Sequence, residues 1–189
     1  MRLPNGSVVI DSNCGSDPIS VVNHGIRLYS EHKKQKGIAY DRVYCVFDRD
    51  QYHLPEGGRP YDVALSIIEN KKSPKGVFFA INSVPCFEFW LLLHHLETTK
   101  PYNHMPPYFS AGSLVVDDLR NYWPTYSKGG SGWFNLALQV DNDDLTTALD
   151  RSQRVLSEAQ AAGDENPSTK IHELIGYLKG MRDGAVKNQ

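Results

Sequence analysis

Three acidic residues carry most of the chemistry this chain could do. Asp48 and Asp50 stand two apart, directly after the apolar run Val43-Tyr44-Cys45-Val46-Phe47. In extended backbone alternate side chains share a side, so the two carboxylates fall together. Carboxylates held side by side repel unless a proton or a cation sits with them. Hard oxygen donors of this kind suit Mg²⁺ (or Mn²⁺), which binds through a few carboxylates and keeps waters for a substrate. An acidic turn that merely caps the next segment is the competing reading. Position favours the metal, because ligands of open α/β sheets bind beyond the carboxyl ends of strands. Arg49 between them fits a phosphate contact or a pair with a nearby carboxylate equally well.

Glu88 is the third. It lies inside Phe87-Glu88-Phe89-Trp90-Leu91-Leu92-Leu93. A carboxylate in such a setting is costly unless it is paired, metal-bound or near a helix N-terminus. One reading makes it a further metal ligand or a general base; the other, equally weighted, makes it a glutamate settled in the first helical turn. His94 and His95 follow. His95 shares a helix face with Glu88 but stands roughly 10 Å further along the axis, so one metal could not bind both. The histidines read as polar residues closing an apolar helix at its negative end. The Lys128–Gly132 loop lacks the spacing of a phosphate-binding P-loop and reads as surface. Asn135 and the Asp141–Asp144 run read as solvated surface and a helix cap.

These residues need elements to position them. Ser7-Val8-Val9-Ile10 reads as a short strand. Asp17-Pro18 reads as a helix cap and opening, for a helix from Ile19 to Lys34 with Lys33, Lys34 and Lys36 at its negative end and Gly37 as its stop. Val43–Phe47, continuous and β-branched, reads as a central strand covered on both faces. Tyr61–Glu69 reads as a helix with Val63, Leu65, Ile67 and Ile68 apolar. Gly76–Ile81 reads as a strand, Asn82-Ser83-Val84-Pro85 as a turn, and Cys86–His95 as an apolar helix. The order β-α-β-α-β-α implies an α/β fold with a parallel sheet and right-handed crossovers. Beyond the Pro-rich stretch 101–107, helices are expected over Leu114–Trp123, Leu145–Ala162 and Lys170–Arg182, the last opened by Asn166-Pro167-Ser168-Thr169. Residues 1–100 thus form an α/β core, and 101–189 a helical part of the same domain packed on the sheet.

Composition bounds the function. The 189 residues suffice for a compact core. A formal charge of −2 argues against coating nucleic acid by charge alone. It leaves room for an enzyme acting on nucleic acid, since metal ions can supply positive charge at the phosphate. The apolar run at Phe87–Leu93 is far too short to span a membrane, and no secretory signal is expected at Met1. The three cysteines (Cys14, Cys45, Cys86) have no metal-ligand spacing and suit a reducing cytoplasm.

The strand closed by Phe47-Asp48-Arg49-Asp50, the string Pro85-Cys86-Phe87-Glu88-Phe89-Trp90-Leu91-Leu92-Leu93-His94 and the late Asn166-Pro167-Ser168-Thr169 together resemble the RloB-like proteins. The resemblance covers most of the chain; the Pro-Cys-Phe-Glu string is its specific part. It implies a Toprim-like parallel sheet flanked by helices and a Mg²⁺-dependent nuclease-like site in anti-phage, abortive-infection defence. It also implies an ATPase partner. Asp48 and Asp50 match the Toprim Asp-x-Asp, and Glu88 the family's acid. The chain departs from the family in lacking an opening Glu-Gly-x-x-Thr-Glu-like strand, whose glutamate would be the general acid or base. Asp11 is the nearest acid at an expected strand end, and a turn role suits it equally. Two functions follow from the resemblance: a nuclease on DNA or RNA phosphodiesters, or a catalytically incomplete module that binds an ATPase or nucleic acid. A Mg²⁺-dependent phosphatase or nucleotide-binding domain is a weaker third. Homo-oligomer formation is left open.

Overall fold

The computed structural model describes residues 8–49, 59–71, 74–105, 110–129 and 142–184. The elements are α1 (Pro18–Lys36), β1 (Val43–Asp48), α2 (Pro60–Glu69), β2 (Phe78–Val84), α3 (Glu88–Leu92), α4 (Ala111–Arg120), α5 (Asn142–Ala162), β3 (Ser168–Thr169) and α6 (Ile171–Arg182). The fold is mixed α/β, with a small mixed sheet in the order β1-β2-β3. The chain divides into two compact units, one of residues 1–82 with 173–189 and one of residues 83–172.

In the first unit, α1 begins and ends as its local chemistry dictates. Asp17 is extended, and its carboxylate accepts from Ser20 N–H at 3.0 Å, with Pro18 opening the helix. Gly37 closes it at φ 68°, a left-handed conformation that glycine adopts without a Cβ penalty. One face of β1 packs under α1 and α2. Cys45 and Phe47 are buried there, Phe47 edge-on to Tyr61 of α2 at 6.0 Å. Phe78 at the start of β2 meets Tyr29 of α1 edge-on at 5.4 Å. Gly25 lets α1 come close to the sheet: a Cβ there would lie 3.1 Å from Cys45 Sγ and 3.2 Å from Val43 Cγ1.

The other face carries Tyr44, stacked on Phe79 at 5.2 Å and set against Tyr177 of α6 at 5.5 Å. The Arg42 guanidinium lies 4.3 Å from the Tyr177 ring centre. Cover on this face is incomplete, and Val46 is 44% exposed. The expectation of a strand buried on both faces is therefore corrected. Helix α2 is also re-phased: Tyr61 and Ala64 are its buried residues, whereas Val63 is 37% exposed.

Further corrections concern the strands. Val8, Val9 and Ile10 are exposed and form no strand; β-branched residues make a strand only where a neighbour accepts their hydrogen bonds. β2 runs three residues beyond the expected Ile81 and takes in Asn82, Ser83 and Val84, which were expected to turn. The physical reason lies in their partners. In the first unit Asn82 Nδ2 donates to the Tyr61 hydroxyl, burying the amide with a partner. In the second unit Ser83 pairs with Thr169 and Val84 with Ser168, antiparallel, so Ser168-Thr169 is a strand rather than a helix opening. The hydroxyls of Ser83 and Thr169 are 2.9 Å apart in the core. The sheet is accordingly mixed, not wholly parallel.

The rest of the second unit builds on that ladder. α3 is shorter than the expected Cys86–His95 helix: it covers Glu88–Leu92, all buried, and continues as turns. It packs on α4 and β3, and α5 packs on β3. Asn166 ties the unit together by accepting from Tyr102 N–H at 3.2 Å and donating to Tyr102 C=O at 2.9 Å. Ser152 of α5 donates to Thr169 C=O at 3.1 Å. Val84-Pro85 and Asn166-Pro167 are cis. No helix among the described residues is long and apolar enough to cross a membrane.

Candidate functional site

Asp48 is the last residue of β1, half-buried, and by alternation it lies on the face shared with Tyr44 and Val46. Arg49, also half-buried, follows it. Asp50 lies outside the described residues. Asp48 belongs to the first unit and Glu88 to the second. Among the described residues, no group of three or more His, Cys, Asp and Glu side chains is placed to hold a metal ion.

Glu88 has the most specific surroundings. The helix α3 that carries it is buried from end to end, so its carboxylate is 95% removed from solvent. Two side chains that arrive after α4 meet it. The Tyr126 hydroxyl donates to Oε1 at 2.9 Å. The Lys128 ammonium stands 3.5 Å from Oε2, and among the described residues Oε2 is buried without a hydrogen-bond donor. Both observations hold together as a loose ion pair. Lys128 is 64% exposed and reaches in from the surface, which makes its attraction weak. An unsatisfied buried carboxylate oxygen is costly. Gly112 of α4 lies beside this pair: a Cβ there would be in ordinary contact with Cys86 Sγ at 3.5 Å and Lys128 Nζ at 3.9 Å.

Glu88 thus stands in the first turn of α3 with Tyr126 and Lys128 as side-chain partners. Sequence marks Lys128 only as part of a surface loop. Tyr126 carries no local signal at all, because its role depends on a residue 38 positions away.

Of the two histidines, His94 is a core residue and His95 is half-buried. His94 is buried, with Nδ1 3.1 Å from Trp90 C=O and its ring edge-on to Trp90. Burial holds its imidazole below the ordinary value. His95 stacks on Tyr122 at 5.1 Å and meets Trp123 edge-on at 4.9 Å, and desolvation lowers it as well.

The family can be stated directly. The family model described as RloB-like protein matches residues 2–178, almost the whole chain, and the protein belongs to that family. Neither a curated protein nor a solved structure matches it.

Proposed function

We propose that this RloB-like protein is a Mg²⁺-dependent, Toprim-like nuclease of a cytoplasmic anti-phage system, hydrolysing DNA or RNA phosphodiesters alongside an ATPase partner. The observation that carries the reading is the buried Glu88 carboxylate, whose Oε2 has no hydrogen-bond donor among the described residues. Such an oxygen fits a cation or an activated water better than it fits a purely structural role.

In this reading Asp48 and Asp50 hold the metal, and Glu88 either joins the ligand set or orients the attacking water. Bound Mg²⁺ would supply charge stabilisation at the phosphate and a water made easier to deprotonate. The chain's own part is to present the acids. β1 fixes Asp48 at its carboxyl end, and Tyr126 fixes one Glu88 oxygen, leaving the other to accept.

A second reading is a non-catalytic module that binds an ATPase or nucleic acid. It is favoured by Glu88 already having Tyr126 and Lys128 as partners, enough for a structural glutamate. A cleavage assay separates the two. Plasmid, single-stranded DNA and tRNA are incubated with Mg²⁺ or Mn²⁺, with and without the ATPase. The nuclease reading requires metal-dependent cleavage that Asp48→Asn and Glu88→Gln each abolish. Cleavage of none of them under any condition, or cleavage that survives both substitutions, would sink it.

A further inference from the structure

In the first unit an open cleft of about 520 Å³ is lined by Tyr29, Ser30, Lys33 and Lys34 of α1 and by Lys71 and Pro74 beyond α2. We infer that this cleft binds the phosphodiester backbone of a nucleic acid through Lys33, Lys34 and Lys71. The inference rests on the nucleic-acid reading above and gives the substrate a place to bind outside the acidic residues.

Three ammonium groups from two separate segments line one concavity, and none of them is ion-paired with a carboxylate among the described residues. The helix dipole explains part of this. Lys33 and Lys34 occupy the last turn of α1, where positive charge is favourable. It does not explain Lys71, which comes to the same cleft from the far end of α2. Lys71 is placed rather than free: its N–H donates to Ile68 C=O at 3.1 Å and its ammonium lies 5.3 Å from the Phe78 ring centre. Phe78 is in turn buried edge-on against Tyr29, so a packed aromatic pair supports the cleft. Like charges brought together repel, and a cleft of one sign concentrates the opposite ion. The whole chain carries a net charge of −2. Attraction for a polyanion must therefore be local, and this cleft concentrates it. The Ser30 hydroxyl donates to Ile26 C=O at 2.9 Å, so the lysines are the donors the cleft offers to a phosphate. Nothing in the cleft is shaped to read bases, so contact with the backbone is expected to be insensitive to sequence.

The test is binding of a fluorescein-labelled DNA duplex, and separately a labelled single-stranded RNA, to the full chain in EDTA across a salt series. Wild-type protein should bind at least one of them with an affinity that falls steeply with salt. The triple variant Lys33→Gln, Lys34→Gln, Lys71→Gln should lose about one unit of log–log salt slope per lysine. The triple arginine variant should keep the slope, which shows that the loss follows charge and not folding. The inference is overturned if wild type binds neither probe. It is equally overturned if the glutamine variant matches wild type, or if inorganic phosphate at equal phosphate concentration displaces the probes as well as unlabelled oligonucleotide does. EDTA keeps this result separate from the nuclease reading. A protein that binds through these lysines yet cuts nothing retains the cleft and loses the nuclease; one that cuts with Mg²⁺ while the glutamine variant binds normally retains the nuclease and loses the cleft.

Discussion

The hydroxyl of Tyr126 donates to Oε1 of Glu88 at 2.9 Å, joining a residue that follows α4 to the first residue of α3 inside the second unit. The bond satisfies one oxygen of a buried carboxylate and leaves the other with only the loose approach of Lys128. That asymmetry predicts how Glu88 responds to substitution.

Tyr126→Phe removes the one hydrogen bond to Oε1 while keeping the ring. The buried carboxylate then lacks a donor on both oxygens, and the loss should be about 1–3 kcal/mol. Glu88→Leu in the Tyr126→Phe background should recover part of it, since removing both partners is cheaper than stranding one. Chemical denaturation of the two variants checks this. A Tyr126→Phe protein as stable as wild type would show that the bond contributes nothing.

Gly25→Ala tests the close approach of α1 to β1. Alanine normally strengthens a helix interior by up to about 1 kcal/mol over glycine. Here its Cβ would press on both Cys45 Sγ and Val43 Cγ1, side chains of a strand held on its other face by α6. Overpacking of this kind costs about 1–3 kcal/mol, so the net effect should be destabilising. A raised melting temperature would contradict the packing described here.

His94 links stability to pH. Burial lowers its folded-state pKa from the ordinary 6.5, with the neighbouring His95 lowered in the same direction. Below pH 6.5 the unfolded chain takes up protons that the folded chain refuses. Stability should therefore fall as pH drops from 6.5 towards the lowered value, and change little through His94 above it. His94→Gln should flatten that acid-side slope in denaturation curves taken across the range. Superimposable slopes for the two proteins would rule out His94 as the group responsible.

Much of the first unit was legible because its signals are local. Asp17, Pro18 and Gly37 bound α1 by chemistry within a few residues, and the β-branched run before Asp48 could only be a strand. The misreadings came where distant partners decide. Asn82 and Ser83 have the composition of a turn but lie in β2, where the Asn82 amide nitrogen donates to the Tyr61 hydroxyl and the Ser83 hydroxyl meets that of Thr169 in the core. Val8–Ile10 has the composition of a strand but no ladder to join. The acids of the candidate site could be read from their apolar surroundings. Tyr126, Lys128 and the lysine cleft could not, since each depends on segments brought together only by folding.

The proposal that Asp48 and Asp50 bind a divalent metal is tested most directly by calorimetric titration of the full chain with Mg²⁺ and Mn²⁺. Wild type should show saturable binding, and Asp48→Asn and Asp50→Asn should each weaken it at least about tenfold, which corresponds to about 1.4 kcal/mol of lost ligand interaction. An absence of binding in wild type, or equal binding in both variants, would contradict the claim.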